Sequence, residues 1–197
     1  MNAFAWIGVA GTIPLLVMPF VAVPEAATYR YSFLFLVPLL WVPYFARRAL
    51  HLHPVHYGLY AAALALHDLG ALGCYRREYF GLSFDTYVHF YFGVPAGLIL
   101  ARLFRRRLGM RPWTAGLSAT VFVLGLGAIH ELVECGSSLV LGKEKGMLKA
   151  NVGDELDTQK DLFNNLLGCL TGLGLSALVS RRKEHGPSDA VGPSSPA

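Results

Sequence analysis

Asp85 and His89 stand four residues apart, as do His130 and Glu134, with Glu131 three residues before Glu134. Further along, Asp154, Asp157, Asp161, Asn164, Asn165 and Gly168 form one stripe of helical spacing. Residues at intervals of three and four share a face of an α-helix. Each set can therefore be aimed into one interior, as bundle-core metal sites are assembled from carboxylates and Glu/His pairs on facing helices. Oxygen donors with a few imidazoles suit a divalent cation. Zinc, manganese or iron fit where histidine takes part, magnesium or calcium where carboxylates dominate. The expected ligands are Asp68, Asp85, His89, Glu131, Glu134, Asp157, Asp161 and Asn165. In an enzyme built on them, His67 or His130 would be the general base of a metal-dependent hydrolysis or transfer.

The elements that must position these groups are apolar. Of the 197 residues 54% are hydrophobic and only 15% charged, with a mean hydropathy of +0.44. Soluble domains carry roughly a quarter charged residues, so the composition favours a membrane protein. The net charge of +4 does not indicate nucleic acid. Its basic residues cluster at the ends of apolar stretches, as membrane-flanking residues do.

A hydrocarbon core ~30 Å thick needs ~20 mostly apolar residues, fewer where flanking groups reach the interface. Six spans meet that need, at about 4–23, 31–45, 57–74, 85–104, 113–141 and 158–180. The expected fold is an all-α bundle of six transmembrane helices over residues 1–183, with a disordered cytoplasmic tail over 184–197. The first span lacks the basic start of a signal peptide and reads as a retained helix. Residues 46–56 read as a loop, with His51, His53 and His56 solvated in it. Most of the 17 Lys and Arg residues fall on one side when both termini are cytoplasmic, which sets the orientation.

At ~1.5 Å rise per residue, four spans then place their strongly polar residues at one depth near the outer surface. His67 and Asp68 end the third span, and Asp85 and His89 open the fourth. Glu131 and Glu134 lie in the outer half of the fifth, and Asp157 and Asp161 open the sixth. Ionisable groups within a membrane are costly and mark function by default. So many carboxylates could not all stay ionised in low dielectric without a positive partner.

Other residues have simpler readings. Asn164 reads as an interhelical hydrogen-bonding group, and Gly168 with Gly172 as a close-packing GxxxG step. Cys74, Cys135 and Cys169 show no zinc-ligand spacing and read as small apolar residues. Two other functions use the same acids: an ion or small-molecule transporter with a proton relay, and a non-catalytic structural protein whose polar core fixes helix register. A relay needs polar groups continuing to the inner face, where the spans carry almost none.

Three segments carry a family resemblance: Phe84-Asp85-Thr86-Tyr87-Val88-His89-Phe90, Glu131-Leu132-Val133-Glu134, and Gly153-Asp154-Glu155-Leu156-Asp157-Thr158-Gln159-Lys160-Asp161. Together they resemble the YjdF-like bacterial integral membrane proteins, a family without an assigned function, over about residues 57–175. The stretch after Asp68 lacks the His-Tyr pair of that pattern. More loosely, Asp85/His89/Phe90, Glu131 or Glu134, and Asp161/Asn165/Gly168 are similar to the VanZ-like membrane proteins. The resemblance implies a multi-pass protein of the bacterial inner membrane, in contact with lipids, with a role in the cell envelope and a lipid-linked or amphiphilic substrate.

Overall fold

Proline and small polar caps set the helix ends in the computed structural model, which describes residues 2–21, 33–142 and 156–184. Helix α1 spans Ala3–Val17, capped by the Asn2 side chain, which accepts from the Ala5 N–H at 2.9 Å. Pro19 then tightens the chain into a 3₁₀ turn, Met18–Phe20. Helix α2 spans Phe33–Phe45 and contains Pro38 and Pro43. Pro43 supplies no N–H to the Leu39 carbonyl, and the Tyr60 hydroxyl donates to that oxygen instead, at 3.1 Å.

Helix α3 spans Pro54–Ala71, with Pro54 at its first position and the His53 ring as cap. His53 and His56 therefore belong to a helix start and not to a simple solvated loop. After a 3₁₀ turn at Cys74–Arg76, a short antiparallel hairpin pairs β1 (Glu78–Tyr79) with β2 (Leu82–Ser83). Phe80 and Gly81 both take positive φ in its turn, 54° and 78°. The hairpin lies between the third and fourth expected spans, in a stretch the sequence marks only by its polarity.

Ser83 caps helix α4, Phe84–Arg107, whose last turn carries Arg105, Arg106 and Arg107 where the helix dipole favours cations. Helix α5 spans Pro112–Leu141 and begins on a proline. Helix α6 spans Asp157–Glu184, with Asp157 in its first turn. The tail beyond Glu184, and Asp154 with the loop lysines, lie outside the described residues.

Six helices thus stand where the apolar runs place them. Four stretches are long and apolar enough to cross a membrane: Ala3–Phe20, Phe84–Arg107, Pro112–Val140 and Asp157–Ser180. The apolar part of α2, Leu34–Phe45, is shorter. In α3, His56, His67 and Asp68 dilute an 18-residue helix. Among the described residues, four stretches meet that length and composition and α2 and α3 do not, in keeping with an all-α polytopic bundle.

Two packing units make up the bundle. Leu15, Leu36, Leu40, Tyr57 and Leu64 bury one another between α1, α2 and α3. Glycines let α4 and α6 touch along their backbones. A Cβ on Gly168 would strike the Phe90 carbonyl oxygen, one on Gly93 the Asn165 carbonyl oxygen, and one on Gly172 would lie 2.9 Å from the Val94 oxygen. Small residues at such a crossing are the usual means of close approach in a membrane. This contact brings the first turns of α4 and α6 together.

Candidate metal centre

His89 lies one turn before Gly93 on α4, and Asn165 lies three residues before Gly168 on α6. The glycine contact therefore forces their side chains together. Asp85 Oδ1 is 3.4 Å and Asp161 Oδ2 3.7 Å from His89 Nε2. A ligand atom from each of Asp85, His89 and Asp161 lies within 4.8 Å of the others, the only such group of three found among the described residues. His89 and Asp161 are buried, and Asp85 is half-buried at the mouth.

The second ring nitrogen of His89 is held by Asn165, with Nδ2 3.2 Å from Nδ1. Only 2% of Asn165 is exposed, and its Oδ1 has no hydrogen-bond partner. Turned over, the same amide would accept from Nδ1–H and leave the Nε2 lone pair facing the two carboxylates. A ligating imidazole needs that arrangement, with its far nitrogen fixed by a hydrogen bond. Gly127 of α5 makes room for the amide, since a Cβ there would lie 2.8 Å from Asn165 Nδ2.

The remaining expected residues take other places. Glu134 pairs with His130 of its own helix, Oε1 to Nε2 at 3.0 Å. Glu131 accepts from the Thr158 hydroxyl at 3.1 Å, while its Oε1 is buried without a hydrogen-bond partner. Asp68 is buried on α3 and Asp157 half-buried one turn before Asp161; both lie outside the group of three. Asn165, itself an expected ligand, lies outside the group of three and holds the His89 ring instead. The two candidate bases flank the centre: the His130 ring centroid lies 6.1 Å from those of both His67 and His89. The Tyr75 hydroxyl is 2.8 Å from His67 Nδ1. Sequence reasoning missed Tyr75, Thr158 and Gly127. None carries a spacing signal, and each is recognisable only once the helices are packed. All three cysteines are free.

Beside the centre is a cavity of about 320 Å³. His67, His89, His130 and Asn165 line its polar end, and Leu36, Leu39, Ala63, Leu64, Phe92 and Leu126 are among its apolar walls.

Apolar helices packed around a buried polar cluster define a polytopic α-helical membrane protein. The chain belongs to the family described as predicted membrane protein (DUF2238), whose model matches residues 4–182. It is similar to the inner membrane protein YjdF of Escherichia coli (strain K12), with 31% identity over 103 residues, 48% of this chain and 47% of that protein. The match thus spans about half the length of the curated relative. No solved structure matches the chain.

Proposed function

We propose that the protein holds one divalent cation between Asp85, His89 and Asp161 and uses it on an amphiphilic substrate in the bacterial inner membrane. The observation that carries this reading is the convergence of two carboxylates and an imidazole from α4 and α6 within 4.8 Å, in the polar interior of a membrane bundle. Two carboxyl groups facing one imidazole in low dielectric favour a positive partner, and a cation would supply it. The unpartnered Glu131 Oε1 nearby adds a further donor oxygen. Two oxygens and one nitrogen suit zinc, manganese or iron, and magnesium less well.

Such an ion lowers the pKa of a bound water to ~7 and polarises a phosphoryl or carbonyl oxygen. His130, oriented by Glu134, and His67, oriented by Tyr75, are the groups placed to move a proton. The inner-membrane setting rests on the name of the similar protein. Arg105, Arg106 and Arg107 lie at the opposite end of α4 from Asp85, which supports an outward-facing site with cytoplasmic termini. Beyond the cavity the described bundle has apolar clusters, packed by Leu40 and Tyr57 on one side and by Phe104, Ala115 and Ala119 on the other. This favours an enclosed site over a through-going proton relay.

Metal analysis of detergent-purified protein tests the reading. Wild type is expected to retain roughly one ion per chain. Asp161→Asn and His89→Ala should lose it, and Glu134→Gln should keep it. A wild type without metal, or an ion content indifferent to Asp161→Asn, would overturn the proposal.

A further inference from the structure

The cavity touches five helices, from Leu36 on α2 to Asn165 on α6, and its polarity is one-sided. From His67 to Tyr60 along α3 it runs seven residues, roughly 10 Å at the helical rise. A void of ~150 Å³ accepts benzene. One of about 320 Å³ therefore takes an apolar group of on the order of a dozen carbons. Leu39, which lines it, is 49% exposed on the outside of α2, so the cavity reaches the surface that faces lipid. Beside that opening, Pro38 offers no N–H to the Leu34 carbonyl, which weakens α2 there. At the polar end, Asn165 spends one amide atom on His89 and keeps the other, buried and unpartnered, beside the cavity.

We infer that this cavity receives the single hydrocarbon tail of a phosphate-ester amphiphile, entering from the bilayer past Leu39, with its head group against His67, His130 and the Asn165 amide. The tail rests on the shape and walls of the cavity alone. The head group rests on the metal-centre reading, because an oxyanion at the polar end lies against His89, whose ring faces Asp85 and Asp161, and needs a cation to meet it. At about 320 Å³ the cavity is too small for the paired acyl chains of an ordinary phospholipid. Its volume selects for tails of intermediate size.

Calorimetric titration of the purified protein in digitonin with dodecyl phosphate tests the inference. Octyl phosphate should bind more weakly, by roughly fourfold for each methylene no longer buried. Ala63 is 3% exposed and lines the apolar wall, so Ala63→Phe fills the cavity. Dodecyl phosphate affinity should fall at least tenfold in that variant while its ion content matches wild type. Leu39→Trp, at the exposed mouth, should give the same loss in a background that tolerates a large side chain. Affinities independent of chain length, or unchanged in both variants, would overturn the tail assignment. Dodecanol separates the two parts. If it binds wild type as tightly as dodecyl phosphate does, the phosphate head group is wrong. If metal-free wild type binds dodecyl phosphate as tightly as the metal-loaded protein, in a manner sensitive to Ala63→Phe, the tail site stands and the role of the cation at the head group falls.

Discussion

Asn165 and His89 form the bond on which the geometry of the centre turns, since it fixes the imidazole that faces Asp85 and Asp161. Removing the outer partner of a metal-ligating histidine costs 10–100-fold in metal affinity. Asn165→Ala should therefore weaken ion binding by about that factor without abolishing it, as a competition titration against a chelator would show. Unaltered affinity would mean that the amide does not orient the ring. At this scale the sequence was partly legible. The intervals Asp85–His89 and Asp161–Asn165 identify the right faces, and those residues do converge. Glu134 shows where such reading stops. Both Glu134–His130 and Asp85–His89 are pairs within one helix, four residues apart, yet among the described residues only His89 is joined by a carboxylate of a facing helix, Asp161. Which carboxylate turns to its neighbour and which to the next helix depends on how the helices cross.

Between elements, the α4–α6 crossing holds the two halves of the centre together, and its glycines have no substitute. Gly168→Ala should destabilise the protein by about 1–3 kcal/mol or more, because the added methyl meets backbone and not a side chain that can move. Gly125 on α5 has nothing within 4 Å of its missing Cβ, so Gly125→Ala should be neutral or stabilising by up to ~1 kcal/mol. Thermal unfolding in detergent compares the two directly; equal effects would remove the crossing from the account. The GxxxG step at Gly168 and Gly172 was legible as close packing, and α5 starts at Pro112, one residue before the expected span, whereas α3 starts at Pro54, inside the stretch 46–56 that read as a loop. Gly93 and Gly97 on the facing helix were not legible, because a glycine in an apolar run shows its partner only after the helices dock. The hairpin at Glu78–Ser83 was also missed, being held by a two-residue turn with little apolar patterning.

For the molecule as a whole, charge and apolarity decide the arrangement. The apolar runs predict the six helices, although α2 is short and α3 carries half-buried His67 and buried Asp68. These two pack inside the bundle, so mean apolarity understates how well α3 fits there. Arg47, Arg48, Arg105, Arg106 and Arg107 should face the cytoplasm, which leaves the centre toward the outer surface. Reporter fusions at each end of the chain should be active only as cytoplasmic reporters; an external signal from either end would invert the orientation. The central claim is that a cation sits among two carboxylates and one imidazole in this interior. X-ray absorption at the edge of the co-purified metal tests it most directly. The account predicts a shell of oxygen donors with a single imidazole, whose signature disappears in His89→Ala. A shell without nitrogen, or one unchanged by that substitution, would contradict it.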